Sequence, residues 1–331
     1  MNLAERITLM VKLGEYLQEG SDELYQIKVK AFEKNKWFIE EFVNLSINNI
    51  AANYLQQNKL KGWVEHYHID DNIHPRKIGI IMAGNIPLVG FHDFLCVFIS
   101  GHHQLIKLSE KDDVLLKHII GKLSEWNSMV ANVVSITTLL KDCDAYIATG
   151  SSNSARYFHY YFGKYPSIIR NNKTSVAVLS GDETLGQFAF LADDVHTYFG
   201  LGCRNVSKLY VPEKYDFLML LNAFRKYNYL SDFTKYKNNY DYNLTLLIMN
   251  HKFYMTNDNI ILVENNNVFS PVSELHFSFY QNKQSVLDEL SADENIQCIA
   301  SDENIPYGKT QQPDLFDYAD RVDTIQFLLG L

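Results

Sequence analysis

The amino-acid sequence predicts an α/β fold with a parallel sheet, because short strand-like runs alternate with helical patterns from residue 77 onward. The runs with the length and apolar character of buried strands are residues 77–83, 104–108, 145–149 and 175–179. Helical patterns lie between them, most clearly over 88–100 and 114–125. Strands that alternate with helices at this spacing are typical of parallel α/β sheets.

The N-terminal seventy or so residues predict helices only. Apolar residues recur on one helical face between Leu3 and Leu17, and residues 31–55 carry a second long helical pattern. This region is interpreted as a packing appendage or an oligomer surface. Later in the chain, the sequence predicts strands over 244–250 and 260–264, and the asparagine-rich composition of 237–243 predicts a loop.

Composition limits the classes of function. A chain of 331 residues has room for two domains. Its net charge of −9 argues against a nucleic-acid binder and against attraction to an anionic membrane. The apolar runs are shorter than the roughly 20 residues that span a bilayer, and the first residues lack the cationic region of a signal peptide. The sequence therefore predicts a cytoplasmic protein without a membrane span.

The cysteines are the next source of chemistry. Cys96, Cys143, Cys203 and Cys298 are far apart and form no CxxC pair, so the spacing predicts neither a metal site nor a redox motif. Cys96 and Cys298 lie in apolar runs typical of a core. Cys203 follows Gly202 and precedes Arg204, a setting that can expose a sulfur and favour its thiolate. By itself the stretch is more typical of a glycine-rich turn around an incidental buried cysteine than of a nucleophile.

Five motifs change that balance because they occur in a fixed order along the chain. They are Gly84-Asn85-Ile86-Pro87-Leu88, Ile106-Lys107-Leu108-Ser109-Glu110, Thr149-Gly150-Ser151-Ser152, Gly202-Cys203, and Val268-Phe269-Ser270-Pro271-Val272. In this order they resemble the aldehyde dehydrogenase superfamily. Within it, the segment from Tyr307 to Thr324 resembles the ends of short luminescence-type (LuxC-like) fatty acyl-CoA reductases.

The resemblance implies an aldehyde dehydrogenase-like α/β fold with two three-layer domains and a helical N-terminal appendage. The expected regions are 1–72 (helical region packing on the cofactor domain), 73–180 (nicotinamide cofactor domain), 181–304 (catalytic domain) and 305–331 (tail returning to the cofactor domain). Cys203 would be the nucleophile, and Asn85 together with the backbone N–H of Cys203 would stabilise the oxyanion. The implied cofactor contacts are Lys107, Ser109, Gly150, Ser151 and Phe269.

Each of these assignments has an ordinary structural alternative. Asn85 is also a typical turn residue before a proline, and Lys107 a typical solvated lysine at a strand end. A capping role alone would also explain Ser109, and any strand-to-helix turn favours residues such as Gly150 and Ser151. His92 and His196 are the histidines nearest in sequence to Asn85 and Cys203, respectively, and are candidates for proton transfer. Asp193 and Asp194 are interpreted as part of a solvated helix end.

Two departures from the superfamily pattern bear on the reaction. Aldehyde-oxidising members carry a water-activating glutamate in the segment that corresponds to residues 170–174, where this chain has no acidic residue. A reductase does not need that water, so its absence favours the formation of aldehydes. A second family glutamate, which holds the nicotinamide ribose, is replaced by asparagine within 265–267.

The resemblance therefore predicts NADPH-dependent reduction of an acyl-CoA to an aldehyde, with NADH as an alternative cofactor. The acyl donor is expected to be a CoA thioester, fatty acyl rather than short, or a carrier-bound acyl thioester, and the protein a homo-oligomer. Two alternatives stay open. One is a short-chain acylating aldehyde or semialdehyde dehydrogenase, and the other is a non-catalytic relative that acts as a binding protein.

Overall fold

The computed structural model describes residues 1–72 and 74–331, with Ser152 described by its backbone alone. Ile73, the predicted first residue of the cofactor domain, lies outside the described residues. The chain divides into two compact units. Unit 1 comprises Met1–Asn172 and Pro313–Leu331, and unit 2 comprises Lys173–Gln312.

Helices and strands follow one another along most of the chain. The helices are α1 (Leu3–Glu19), α2 (Asp22–Lys34), α3 (Glu40–Asn53), α4 (Gln57–His66), α5 (Phe91–Ile99), α6 (Val114–Trp126), α7 (Val130–Val133), α8 (Ser152–Phe162), α9 (Leu185–His196), α10 (Leu218–Phe224), α11 (Thr234–Met249), α12 (Lys283–Ala292) and α13 (Thr324–Leu329). The strands are β1 (Lys77–Ile81), β2 (His103–Lys107), β3 (Val134–Ile136), β4 (Ala145–Thr149), β5 (Ser167–Arg170), β6 (Thr174–Val178), β7 (Val206–Pro212), β8 (Met255–Thr256), β9 (Ile261–Glu264), β10 (Glu274–Tyr280) and β11 (Ile296–Ala300). Among the described helices, none combines the length and the apolar character of a membrane span.

Unit 1 is built around a parallel sheet with the strand order β3-β2-β1-β4-β5. The helix α5 packs on β1 and β2, and α8 packs on β4 and β5. Apolar residues of the N-terminal helices, such as Met10 and Trp63, share one core with Ile78 and Ile106 of the sheet and with Ile325 of α13. The N-terminal helices are therefore an integral layer of unit 1.

Unit 2 contains a second sheet with the order β11-β6-β7-β10-β9-β8. Its neighbouring strands run parallel except for the edge strand β8, which is antiparallel to β9. β7 lies near the centre, between β6 and β10. The α/β class with parallel sheets and a helical N-terminal region, predicted from the sequence, is confirmed.

Local sequence signals explain where key helices begin and end. Asn2 caps α1 by accepting a hydrogen bond from the Glu5 N–H, and the Glu5 carboxylate accepts one from the Asn2 N–H. Gly20 ends this helix with a φ of 68°, a conformation that glycine adopts without strain. The same reciprocal cap, from Thr184 and Gln187, begins α9, the helix that precedes the candidate cysteine.

The sequence prediction was wrong in one region of unit 2. The helix α11 includes residues 237–243, which were predicted as a loop. It also includes the predicted strand 244–250, except for Asn250, which is its C-cap. The asparagine-rich composition concealed a helical period: Tyr236, Tyr240 and Asn243 lie one turn apart and are buried on one face. Tertiary burial of that face outweighed the low helix propensity of the asparagines.

A buried carboxyl group holds the loop that follows β1. Leu88 has a φ of 57°, which is unusual for a residue with a side chain, and its N–H donates to Asp112 Oδ2 at 2.7 Å. Ser46 of α3 donates to the Pro87 carbonyl of the same loop at 2.8 Å. Burial raises the pKa of Asp112 to about 7, although the hydrogen bond from Leu88 acts in the opposite direction. The loop that carries Asn85 is thus fixed from both the sheet side and the N-terminal helices.

A second buried charge, Arg170 at the end of β5, ties the C-terminal segment to unit 1. Its guanidinium donates to the Asp93 carboxylate of α5 and, at 2.9 Å, to the Thr324 hydroxyl at the start of α13. Arg170 is only 4% exposed and Asp93 only 5% exposed. Each charge therefore depends on the other for compensation.

Replacement of Arg170 by methionine is expected to lower the free energy of unfolding by about 3–5 kcal/mol, because it leaves the Asp93 carboxylate buried without its cation. Urea denaturation measures the change. The double variant Arg170→Met/Asp93→Leu is expected to recover much of the loss, and Arg156→Met, at an exposed arginine of α8, to cost less than about 0.5 kcal/mol. Equal losses in the single and double variants would contradict the pairing.

Asp112 is expected to make unit 1 less stable as the pH rises. Its pKa is higher in the folded state than the ordinary 3.8, so the folded state binds the proton more tightly, and the free energy of unfolding falls between about pH 4 and pH 7. Asp112→Asn, which cannot ionise, should remove this fall when urea unfolding is compared at pH 5 and pH 8.

The neighbouring Asp113 provides the control. Partial burial acts to raise its pKa, but hydrogen bonds from Lys117 and Lys34 lower it overall. Its contribution to the free energy of unfolding is lost only as the pH falls below the ordinary pKa of an aspartate. Asp113→Asn should therefore leave the fall between pH 5 and pH 8 in place, and a wild-type protein without that fall would contradict the assignment.

Candidate active site

Cys203 lies in a tight turn between α9 and β7 of unit 2. The Asn205 N–H donates to the Gly202 carbonyl at 3.1 Å and closes the turn, and β7 begins at the next residue, Val206. Cys203 itself is half-buried. Cys203 therefore lies just before the amino end of a central strand of the unit 2 sheet.

The backbone just before this turn is unusual. Tyr198, Phe199 and Gly200 have φ values of 55°, 57° and 74°, so three successive residues lie in the left-handed region. For residues with a side chain, this conformation costs about 1–2 kcal/mol each. Both aromatic rings are buried, Tyr198 at 6% and Phe199 at 1% exposure, and their burial offsets the strain. Strained backbone of this kind clusters at functional sites.

Burial separates Cys203 from the other three cysteines. Cys96, Cys143 and Cys298 are buried, and desolvation raises the pKa of each of them, to about 11 for Cys298. Arg204 and a hydrogen bond with Ser175 act against the shift at Cys298 but do not cancel it. Because the thiolate is the reactive form of cysteine, these three side chains are poor nucleophiles at neutral pH.

Ser175 of β6 connects the cysteine turn to the sheet. Its hydroxyl donates to the Cys203 carbonyl at 3.0 Å and accepts a hydrogen bond from the Cys298 N–H at 3.2 Å. The Cys298 sulfur lies 2.9 Å from the same oxygen. Ser175 is fully buried, so it fixes the carbonyl side of Cys203 against the rigid part of unit 2.

The loop that carries Phe269 is held through four of its consecutive carbonyl groups, which accept hydrogen bonds from side chains of β7 and β10. Ser278 donates to the Asn265 carbonyl at 3.2 Å and Lys208 to the Asn266 carbonyl at 2.9 Å. His276 Nδ1 lies 2.8 Å from the Asn267 carbonyl, and the Ser207 hydroxyl donates to the Val268 carbonyl at 2.5 Å.

The loop is thereby fixed along one side, and Phe269 lines a cavity of about 960 Å³ together with Lys252, Phe253, Glu274 and His276.

Lys208 is the least expected member of this arrangement. It is 2% exposed, its ammonium lies 4.8 Å from the centre of the Tyr210 ring, and burial lowers its pKa to about 8. His276 lies directly opposite on β10, and burial lowers its pKa as well. Two adjacent basic side chains thus donate into the loop, and the loop carbonyls compensate for their burial.

The remaining predicted residues lie at the carboxyl edge of the sheet in unit 1. Lys107 is paired with Ile81, and Ala148 is paired with Ile81 from the other side, so the chain leaves β1, β2 and β4 at the same edge. Lys107 and Asn85 are exposed. Ligands of parallel α/β sheets bind at this edge.

Ser109 and Gly150 have clear packing roles at the same edge. A Cβ on Gly84 would lie 2.6 Å from Ser109 Oγ, and a Cβ on Gly150 would lie 2.8 Å from the Phe158 ring. Ser151 is the N-cap of α8 and accepts a hydrogen bond from the Ser154 N–H at 3.3 Å. These residues shape the edge whether or not they also contact a ligand.

Two histidines considered for proton transfer have structural roles instead. His196 is 2% exposed, its Nδ1 lies 2.9 Å from the Ala192 carbonyl, and burial lowers its pKa to about 4, so it is neutral and enclosed. His92 binds the Leu315 carbonyl.

The prediction of a solvated Asp194 is wrong. Asp194 is fully buried and accepts hydrogen bonds from the N–H groups of Gly308 and Thr310 and from the Thr310 hydroxyl.

Sequence reasoning missed the polar residues that hold the site, Ser175, Asn205, Ser207 and Lys208. Three of them lie within four positions at the start of a strand whose other residues are apolar. A cluster of polar residues at the start of a buried strand was a usable signal, because buried polar side chains need partners.

No family model matches the sequence, and no curated protein matches it. The structure, by contrast, is similar to solved aldehyde dehydrogenases. The NAD+ complex of an aldehyde dehydrogenase from Bacillus cereus is 13% identical, with a TM-score of 0.66 over 91% of this chain and 72% of that one. An NAD-dependent aldehyde dehydrogenase from Sinorhizobium meliloti is 14% identical, with a TM-score of 0.66 over 89% and 69%.

A third similar structure is the indole-3-acetaldehyde dehydrogenase of P. syringae in complex with NAD+ and IAA. It is 14% identical, with a TM-score of 0.63 over 87% of this chain and 69% of that one. At these identities the comparison concerns the fold, and it agrees with the resemblance seen in the ordered motifs. The chain has the aldehyde dehydrogenase fold.

Proposed function

We propose that the protein reduces an acyl thioester to an aldehyde with NADPH, through an acyl group carried on Cys203. The observation that carries the proposal is the setting of Cys203. It is a half-buried cysteine in a rigid turn at the amino end of β7, within an aldehyde dehydrogenase fold, while the other three cysteines are buried and have raised pKa values.

In the first step, the Cys203 thiolate attacks the carbonyl carbon of the thioester. A new C–S bond forms, the carbonyl electrons move onto oxygen, and collapse of this tetrahedral oxyanion breaks the bond to the leaving thiolate, which takes up a proton. Cys203 then carries the acyl group. At the thiohemiacetal level, which the acyl carbon would reach with a hydride from the reduced cofactor, the hydroxyl loses its proton and the C–S bond to Cys203 breaks, yielding the aldehyde and restoring the Cys203 thiolate.

The turn geometry supports an oxyanion donor at Cys203. In a trans peptide, an N–H points opposite to the carbonyl of the preceding residue. The Gly202 carbonyl points into the turn, toward the Asn205 N–H, so the Cys203 N–H points out of the turn. Donors aimed at a developing oxyanion are worth about 10²–10³-fold in rate. Asn85 is proposed as the second donor from the motif resemblance.

The carboxyl edge of the unit 1 sheet suits a nicotinamide dinucleotide. Lys107 is an exposed cation at the end of β2, and α8 follows β4 at the same edge of the sheet with Ser151 as its N-cap. Helix N-termini favour phosphate groups because their N–H groups lack partners within the helix. Two of the similar structures are described as NAD+ complexes. When bound, the reduced cofactor supplies the hydride that brings the acyl carbon to the aldehyde level.

The proposed direction of the reaction is supported by residues 170–174. No carboxylate is present there, Arg170 is paired with Asp93, and the Thr174 hydroxyl lies 2.5 Å from the Ser207 hydroxyl. No acidic side chain in this segment can activate water against the acyl group. An acyl-cysteine protected from hydrolysis favours reduction over aldehyde oxidation.

Replacement of Cys203 by alanine is expected to lower turnover of acyl-CoA by about 10³-fold or more, since the acyl acceptor is lost. NADPH oxidation is followed at 340 nm with acyl-CoAs of increasing chain length. The buried Cys143→Ser provides the matched control and should retain activity.

Each other outcome of this experiment has a defined meaning. Absence of turnover with every acyl-CoA and with a carrier-bound acyl thioester would contradict the reductase proposal. Turnover that survives in Cys203→Ala would contradict the assignment of the nucleophile. Preference for short acyl chains would favour a short-chain acylating aldehyde dehydrogenase instead.

Lys107 is expected to select NADPH over NADH by contact with the 2′-phosphate. A hydrogen bond to a charged group is worth about 1.5–3 kcal/mol, so Lys107→Ala should raise the KM for NADPH about tenfold or more. The KM for NADH should change by less than about twofold. Lys111→Ala, at a nearby exposed lysine, is the control. Equal effects on both cofactors would contradict the 2′-phosphate contact.

A further inference from the structure

Asn205, two residues after the candidate nucleophile, makes an unusual number of contacts for one side chain. It is 2% exposed, and its Oδ1 accepts a hydrogen bond from the Gly202 N–H at 2.8 Å. Its Nδ2 lies 3.0 Å from the Asp194 carbonyl, 3.3 Å from that of Val195 and 2.8 Å from that of Thr197. One amide group thus links the cysteine turn to the C-terminal end of α9.

These contacts solve a problem created by the end of the helix. The last carbonyl groups of any helix lack N–H partners within it. After α9 the chain enters the left-handed residues Tyr198 to Gly200, where a right-handed helix does not continue. The Asn205 amide supplies donors to three carbonyls at this point, although Asn205 lies on the far side of the turn, just before β7. The strained segment is therefore closed at both ends by one side chain.

The same contacts determine the direction of the Cys203 N–H. Asn205 binds both backbone polar groups of Gly202: its backbone N–H donates to the Gly202 carbonyl, and its Oδ1 accepts from the Gly202 N–H. With the Gly202 carbonyl held inside the turn, the trans peptide directs the Cys203 N–H outward. Ser175 fixes the next peptide through the Cys203 carbonyl. The two peptides that flank the sulfur are thereby held in place.

We propose that Asn205 is the positioning residue of the active-site turn, and that its side chain keeps the Cys203 N–H aimed as an oxyanion donor. The inference rests on the proposed acyl transfer at Cys203. It assigns Asn205 no contact with the substrate. The consequence is a specific defect: loss of the side chain should impair reactions of Cys203 that pass through an oxyanion more than reactions that do not.

Two reagents separate these possibilities. p-Nitrophenyl acetate acylates Cys203 through an oxyanion: the sulfur forms a bond to the acetyl carbon, and the C–O bond to p-nitrophenolate breaks. Iodoacetamide alkylates the same thiolate by displacing iodide, with no oxyanion. The burst of p-nitrophenolate and the rate of carbamidomethylation are measured on the full chain, and mass spectrometry of the Cys203 peptide locates both products.

Asn205→Ala is expected to slow acylation by about 10–100-fold, a large part of the value of an oxyanion donor. Alkylation should change by less than about threefold. The matched control is Asn257→Ala, because Asn257 is another buried asparagine of unit 2 that joins a loop to a carbonyl, that of Leu221. This control should leave the ratio of acylation to alkylation unchanged.

A second variant keeps the proposal testable if Asn205→Ala folds poorly. Asn205→Asp has nearly the same shape, but its ionised carboxylate would face three carbonyl oxygens. Once protonated, it offers both a donor and an acceptor, as asparagine does. Relative to wild type at the same pH, acylation of Asn205→Asp should recover by about tenfold or more as the pH is lowered from 8 to 5.5, while relative alkylation stays level.

The failures of the two proposals are distinguishable. A wild-type protein that is alkylated but not acylated at Cys203 contradicts acyl transfer and, with it, the oxyanion role of the turn. If wild type is acylated, and Asn205→Ala loses acylation and alkylation in equal measure or loses neither, only the positioning role of Asn205 is overturned. The same holds if relative acylation of Asn205→Asp is independent of pH.

Discussion

The buried and half-buried polar side chains at the start of β7 need hydrogen-bond partners, and carbonyl groups of two loops accept their hydrogen bonds. Asn205 binds the end of α9, Ser207 binds the Val268 carbonyl, and Lys208 binds the Asn266 carbonyl. A buried donor without an acceptor costs about 1–3 kcal/mol, and a buried charge costs more. The need of these donors for acceptors therefore fixes both the turn that carries Cys203 and the loop that carries Phe269.

This arrangement explains why unit 2 can hold a strained turn. The left-handed residues Tyr198 and Phe199 are tolerated because their rings are buried and the segment is closed by Asn205. Lys208 also depends on its surroundings: burial lowers its pKa to about 8, and the Asn266 carbonyl compensates for part of the desolvation. Strain and buried charge are thus concentrated within a few residues of one cysteine, as is typical of functional sites.

The sequence predicted those parts of the fold that depend on local pattern. The runs that became β1, β2, β4 and β6 are short and strand-like, and the five ordered motifs located Cys203 before the start of β7. Prediction failed where burial is decided by distant residues. Asp194 read as a solvated helix end, but its carboxylate is bound by Thr310, 116 residues further along the chain. α11 was hidden by asparagines because its helical face is defined by the partners that bury Tyr236 and Tyr240.

Arg170 connects the fold to the proposed direction of the reaction. In the resembled superfamily, aldehyde oxidation depends on a carboxylate in the segment that here begins with Arg170. This chain begins that segment with a buried cation, which is compensated by the Asp93 carboxylate and donates a hydrogen bond to the Thr324 hydroxyl. A carboxylate at position 170 would lie beside Asp93 and would repel it in a medium where charges interact strongly. A carboxylate at position 170 would therefore remove both the ion pair with Asp93 and the hydrogen bond to Thr324 that attaches the C-terminal segment, so the stability of unit 1 and the absence of a carboxylate at this position are physically coupled.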